Sequence, residues 1–346
     1  MCGVERSDKE ARIVITGATG ILGSYLTAHL LREGYTDITV AVRSEKSLSK
    51  LASFLGKRDF GIGAVNVVFV SLFDMKALAE LFRGCDIIYN CAAVVSLDED
   101  SSQNIIEDNV RMAYNIAEAA YSAQVGKFVH VSTIATLSAR AYPEMTTEDS
   151  HMITLRDKSP YGIGKFFAEN EVWRLSQKGL KAVVVNPAVI LGEGDWYGSG
   201  TPAMFRYISR VTYFYTDGVT GYVSANDTAR FMERLAFKKE AVGKRFVLCG
   251  ENLSYKELIT YINESFGKKE PVFRIGSGVV KFLEKGCVFL RKMRIRSAIP
   301  PHVFRNLREK ASYDGTYAEG VAGIKYTPIR DEIKIIGETY IKDTKN

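Results

Sequence analysis

No apolar run in this 346-residue chain approaches the ~20 residues that a membrane-crossing helix needs. Its start, MCGVERSDKEAR, is polar and lacks the apolar centre of a secretion signal; residues 1–10 read as a disordered lead. Cysteine is scarce: five, scattered, with no C-x-x-C pair. They read as reduced thiols, so no disulfide scaffold is expected and a cytoplasmic setting is. Four histidines lie far apart, which gives no metal site. Repeats and low-complexity linkers are absent. Neither sign of charge is in large excess: the net charge of +6 fits a mildly basic soluble surface rather than a nucleic-acid binder. What remains, 46% hydrophobic and 25% charged, is globular and long enough for one large domain or two smaller ones.

The stretch IVITGATGILG at 13–23 organises the chain. A short β-branched run breaks into Gly17, Gly20 and Gly23, then a helical pattern begins. Gly17 permits the turn, Gly20 lets backbone approach a ligand, and Gly23 lets the helix lie close to the strand. A helix N-terminus at a strand end favours a diphosphate. Further strands are expected at 37–42, 66–70, 85–91, 128–131, 180–185 and 244–249, with helices at 104–124, 159–178 and 226–239, the last capped by Asn226. This alternation implies a parallel sheet covered on both faces, with ligands beyond the carboxyl ends of its strands. Residues 188–222, rich in Gly, Tyr and Trp, read as long loops with one helix that build a pocket. A final helix is entered through Pro328. The basic, apolar stretch 279–296 reads as a packed helix with a solvated basic face in preference to a membrane-surface helix.

Tyr161 and Lys165, four residues apart at the start of a helix, share one face. An ammonium beside a phenol stabilises phenolate and lowers its pKa from ~10, making a proton donor or acceptor. Among 18 tyrosines such a spacing also arises by chance, so its context matters: it follows the hydroxyls of Ser132 and Thr133.

The blocks TGATGILG (16–23), NCAAVVS (90–96), NVRMAYNIAEAA (109–120), VSTIAT (131–136), YGIGK (161–165), NPAVILGEGD (186–195) and YVSANDTA (222–229) occur in the order of one family. The chain resembles the extended short-chain dehydrogenase/reductases. Within them it is similar to the dihydroflavonol reductase-like and 3β-hydroxysteroid dehydrogenase-like branch, and less so to the nucleotide-sugar epimerases. The resemblance implies an α/β, Rossmann-type doubly wound parallel sheet, with a smaller, mostly helical C-terminal substrate-binding region. Residues 11–187, completed by 222–250, would hold the dinucleotide, and 188–221 with 251–346 the substrate.

The resemblance further implies that Tyr161 is the acid/base and that Lys165 tunes it and bonds the nicotinamide ribose. Thr133 would bond the substrate oxygen, with Ser132 the alternative one residue earlier. Gly17, Thr19, Gly20, Ile21, Leu22 and Gly23 would hold the cofactor diphosphate, and Ala92, Ala93 and Val94 would line its adenosine side. Asn109 would order the neighbouring strand ends, and Pro187 and Val189 would meet the nicotinamide. Asp227 would cap a helix. The chain departs from the family where Val70-Ser71-Leu72 stands in place of a Gly-Asp-Leu sequence whose Asp meets adenine, which puts Ser71 and Leu72 there, and where Ser224 and Asn226 replace charged residues.

The second strand ends at Arg43, with no acid for a ribose 2′-hydroxyl, so NADP(H) is preferred over NAD(H). The resemblance to the dihydroflavonol reductase-like proteins implies a second phosphate contact at Lys50; Glu45 dissents, and Arg43 has adenine stacking as its other use. The expected activity is hydride exchange between a hydroxyl and a carbonyl on a small substrate. The aromatics of 191–222 (Trp196, Tyr197, Phe205, Tyr207, Tyr213, Phe214, Tyr215 and Tyr222) suggest a ring-bearing or apolar one, or else pack the small domain. The rival readings are a nucleotide-sugar epimerase/dehydratase holding NAD, whose diphosphate anchors would be Arg206, Arg210 or later arginines such as Arg305, and a dinucleotide-sensing regulator. No nucleic-acid or membrane partner is expected; a homodimer is left open.

Overall fold

The computed structural model describes residues 8–94, 102–152, 154–155, 158–198, 200–210, 213–292 and 301–345. The rest of the polar lead, the last two residues of NCAAVVS, and Ser199, Val211 and Thr212 of the aromatic stretch lie outside them. Asp8–Glu10, expected as part of that lead, forms a single 3-10 turn.

The chain opens with strand β1 (Ile13–Thr16) and helix α1 (Ile21–Arg32), then β2 (Ile38–Val42), α2 (Glu45–Gly56), β3 (Asn66–Phe69), α3 (Met75–Phe82), β4 (Ile87–Asn90), α4 (Ser102–Ser122) and β5 (Lys127–Val131). A short β6 (Met145–Thr146) precedes α5 (Pro160–Ser176) and β7 (Ala182–Pro187). Then come β8 (Val189–Leu191), α6 (Thr201–Ile208), β9 (Phe214–Thr216), β10 (Val219–Ser224), α7 (Ala225–Phe237), β11 (Lys244–Leu248) and β12 (Glu251–Ser254). The chain ends with α8 (Tyr255–Ser265), β13 (Phe273–Ile275), α9 (Ser277–Lys292), α10 (Pro301–Asn306), β14 (Ser312–Tyr313), α11 (Thr316–Ala322) and α12 (Ile329–Lys345).

Seven strands form one sheet in the order β11-β7-β5-β4-β1-β2-β3, all parallel. The direction of winding reverses between β1 and β4, the crevice where such sheets take ligands. The central strands are buried on both faces and so read as unbroken apolar runs. Alternate residues still feed different cores. Ile13 and Ile15 join α1, α2 and α7 on one face. Val14 joins α3, α4 and α5 on the other.

A third core lies beyond β7, from Leu191, Trp196, Phe205, Tyr222, Leu258 and Ile333. Here the expectation of loops with one helix is corrected: residues 188–222 also contain β8, β9 and the first four residues of β10. β10 pairs in parallel with β8 and antiparallel with β12, contacts between distant segments that leave no local periodicity.

The helix starts follow local chemistry. Ser159 accepts from the Gly162 N–H and Pro160 opens α5. Ser254 and Glu257 form a capping box on α8, and α12 begins directly after Pro328. At α7 the cap is Ser224, not Asn226. Asp227 does not cap either: its carboxylate takes the Thr327 N–H at 2.6 Å and the Thr327 hydroxyl at 3.1 Å, tying α7 to the approach of α12. Nor does α9 pack its apolar residues as expected, since Phe282 is 75% and Phe289 63% exposed. Among the described residues no helix is long and apolar enough to cross a membrane.

Candidate active site

The β1–α1 turn meets the end of β4 at backbone distance. Gly17 has φ of +72°, and a Cβ there would lie 2.6 Å from the Ala92 nitrogen. A Cβ on Gly23 would collide with the Gly17 carbonyl, so that residue seats α1 against the turn. Gly20 differs: its Cβ would meet nothing closer than 3.4 Å. The fold does not need a glycine there, but a ligand passing close to the backbone would. Gly20 lines a cleft of about 710 Å³ with Thr19 and Ile21, and no side chain caps the first turn of α1. Orphan N–H groups beside open space fit a dinucleotide diphosphate. Leu22 is buried in the core and contributes only backbone there.

The loop after β4 is held by amides. Asn90 Oδ1 accepts from Thr16 Oγ1 at 2.8 Å and from the Ala92 N–H at 3.3 Å. Asn109 Oδ1 accepts from the Val94 N–H at 2.9 Å, while its Nδ2 donates to the carbonyls of Val94 and Ile105. Asn109 thus orders the strand end, and Ala92, Ala93 and Val94 stay half-buried at its surface. After β3, Ser71 is exposed and its hydroxyl accepts from the Phe73 N–H, while the Leu72 carbonyl accepts from Asn115.

Arg43 is exposed at the end of β2 and makes no ion pair among the described residues. Lys50 also lines the 710 Å³ cleft, where it pairs with Asp195 at 3.2 Å and holds that carboxyl below its usual range.

The neighbouring hydroxyls of Ser132 and Thr133 have opposite fates. Ser132 is buried and donates to Glu169 Oε2 at 2.5 Å. Glu169 also takes Thr136, Asn186, Trp173 and Arg245, so Ser132 belongs to a buried network. Thr133 faces a cavity of about 290 Å³, with Lys158, Ser159 and Gly162 from the entry to α5, and Ala188 and Val189 after β7. Its Oγ1 accepts from the Ala135 N–H at 3.3 Å, which leaves its own proton to donate. Pro187 is buried at the end of β7.

The Tyr161–Lys165 pair is on one helix face, but its electrostatics differ from the expectation. Burial pushes the Tyr161 phenol up to about 12 rather than down. Lys165 is 1% exposed, donates to the Val131 carbonyl, and is itself pushed down to about 8 by burial. In the unfolded chain this lysine keeps its proton to 10.5, so between those values the unfolded state binds more protons and stability rises with pH. Below about 8 the buried charge costs the fold. Lys165→Met is therefore expected to stabilise the protein by ~1–3 kcal/mol at neutral pH, with the gain shrinking towards the pKa of the unfolded lysine. Urea midpoints at neutral and alkaline pH check this; equal midpoints at neutral pH would refute it.

The aromatics expected to line the pocket do not. Trp196, Phe205 and Tyr222 are in the third core, and Tyr197, Tyr207 and Tyr213 are 69%, 60% and 59% exposed. The cavity takes Tyr255 and Tyr313 instead, with Asn306 and Glu309. Of these four, Tyr255 opens a helix and Tyr313 sits on a two-residue strand, and neither carries a motif.

A glycine-lined turn at the switch point of a parallel sheet defines a dinucleotide-dependent oxidoreductase fold, with Thr133 just after the end of β5 and Tyr161 and Lys165 on the first turns of α5. The chain belongs to the NAD dependent epimerase/dehydratase family, whose pattern it matches over residues 13–249. It is 24% identical to cinnamoyl-CoA reductase 2 of Medicago truncatula over 270 residues, 75% of this chain and 78% of that protein. Two solved structures share its fold at a TM-score of 0.73, each covering 96% of this chain and 98% of the other. One is yeast methylglyoxal/isovaleraldehyde reductase Gre2 complexed with NADPH, at 16% identity. The other is the dTDP-glucose 4,6-dehydratase DesIV from Streptomyces venezuelae with NAD and TYD bound, at 18%.

Proposed function

We propose that this protein is an NADP(H)-dependent oxidoreductase interconverting a hydroxyl and a carbonyl on a small, ring-bearing or apolar substrate. The observation that carries this is the wall of the 290 Å³ cavity, where Thr133 meets Ser159 and Gly162, the residues on either side of Pro160 and Tyr161, although Tyr161 itself is not in the lining. Residues 11–187 with 222–250 would hold the cofactor along Gly17, Thr19, Gly20, Ala92 and Val94, and 188–221 with 251–346 would close over the substrate. When bound there, a nicotinamide would supply or accept the hydride. Tyr161, a protonated phenol at neutral pH, donates its proton to the carbonyl oxygen as the carbon is reduced. Thr133 donates a hydrogen bond to the same oxygen. The buried Lys165 ammonium, four residues on, stabilises the phenolate this leaves. Tyr255 and Tyr313 offer the substrate ring faces.

The preference for NADP(H) rests on Arg43, exposed and without an ion pair among the described residues, where an NAD-binding sheet carries an acid. Its guanidinium can take a 2′-phosphate through charge-assisted bonds. Wild type is expected to bind NADP(H) more tightly than NAD(H), and Arg43→Ala to lose about tenfold in NADP(H) affinity. Titration of both cofactors by fluorescence checks it; tighter NAD(H) binding by the wild type would refute it.

An epimerase needs cationic anchors for its sugar-nucleotide diphosphate. In the cavity, Lys158 donates to the Leu137 carbonyl. Arg206 lies over the rings of Tyr197 and Tyr207, and Arg305 pairs with Glu284. Loss of NADPH absorbance with a panel of aromatic aldehydes and ketones supports the reductase. Tightly bound NAD that copurifies, with inversion of a UDP-sugar and no net redox change, would replace it by the epimerase.

A further inference from the structure

Helix α9 leaves most of its surface uncovered. It rests on the protein through Val280, 2% exposed, and through Glu284 one turn later. The Glu284 carboxylate accepts from Arg308 at 2.8 Å and Arg305 at 3.4 Å, which fixes α9 to α10 and the segment after it. On the side turned away, Val279, Phe282, Leu283 and Phe289 recur at helical spacing, and are 55%, 75%, 46% and 63% exposed. Gly286 occupies the remaining position of that stripe. Lys281 and Lys285 lie along one edge of it, both exposed. The one acid of the helix is thus spent inside, and every described charge that α9 shows to solvent is positive.

Apolar residues scattered singly over a surface need no explanation; a stripe of four edged by cations does. In the strand pair that precedes α9, Val272 and Phe273 are also exposed, at 62% and 59%, and the Phe273 ring packs on that of Phe214 at 5.6 Å.

We propose that α9 is an interfacial helix that seats the protein on an anionic membrane surface. Phe282 and Phe289 enter the boundary between headgroups and acyl chains, and Lys281 and Lys285 meet lipid phosphates. Charge selects this occupant over a second copy of the chain. A two-fold contact through the stripe would set the lysines of both copies side by side with no exposed acid on α9 to answer them. α10, packed on α9, ends at Asn306 in the wall of the 290 Å³ cavity, so the membrane face adjoins the unit that closes that cavity. The proposal stands independently of the reductase reading.

The test uses the purified full-length chain, sedimented with vesicles of phosphatidylcholine alone or with a third of phosphatidylserine. The protein is expected to sediment with the anionic vesicles and far less with the neutral ones. The F282S/F289S variant should lose roughly tenfold or more in partitioning to anionic vesicles. K281Q/K285Q should lose about tenfold there too. Both should keep the wild-type circular dichroism, because none of the four residues is buried. No sedimentation with anionic vesicles, or equal sedimentation of wild type and both variants, would overturn the proposal. So would a wild-type dimer, seen by sedimentation velocity and dissolved by F282S/F289S, in a protein that leaves vesicles alone; that outcome would assign the face to a second copy.

Discussion

Tyr161→Phe is expected to lower turnover by ~10²-fold or more while cofactor affinity is retained. The substitution keeps the ring and removes only the hydroxyl. The glycine turn, Asn109 and the uncapped first turn of α1 are untouched, so the dinucleotide should still bind. What is lost is the proton delivered to the substrate oxygen, a step that Thr133 cannot take over because its hydroxyl is no stronger an acid than the solvent. The effect should appear in kcat and kcat/KM together, since an interaction made in the transition state is removed. Single-turnover measurements with NADPH and an aromatic aldehyde, beside a cofactor titration, separate the two. Near-normal turnover in this variant would sink the mechanism.

Arg245→Met is expected to cost ~3–5 kcal/mol of stability, because it strands a buried carboxylate. Glu169 is 1% exposed, and burial alone would push its carboxyl up. Arg245, Ser132 and Trp173 outweigh that and hold it below the ordinary value. With a depressed folded pKa, the wild type gains stability above the unfolded value of 4.5 and loses it as pH falls through the folded one. Between mildly acid and mildly alkaline pH it should therefore be flat in this respect. Without the guanidinium the carboxyl shifts upward, so the variant should grow less stable as pH rises over that range. Urea unfolding at both ends of the range reads the difference, and equal losses at the two ends would count against it. Adding Glu169→Leu should recover part of the loss, since removing both charges is far cheaper than removing one.

Catalysis should suffer too. Glu169 lies one turn beyond Lys165 on α5 and bonds Ser132 after β5, Asn186 on β7 and Arg245 on β11, three adjacent strands. The network fixes the helix that carries Tyr161 against the sheet.

The sequence by itself determined those parts whose cause is local. The β1–α1 turn follows from three glycines within seven residues, and the alternating strands and helices follow from apolar periodicity inside each element. The parallel sheet then follows from alternation, and the shared face of Tyr161 and Lys165 from helical spacing. The tertiary structure decided everything that depends on segments far apart meeting. Ser132 and Thr133 are equivalent in sequence; only the position of Glu169, 37 residues away, turns one inward and leaves the other to the cavity. Asp227 reads as a cap until Thr327, 100 residues on, takes its carboxylate. Tyr255 and Tyr313 have no local signal, because a pocket wall needs no period or motif. Spacing alone gave the wrong sign for the Tyr161 phenol. A pKa sums burial and charge over every atom that packs around the group, and that sum exists only once the chain has folded.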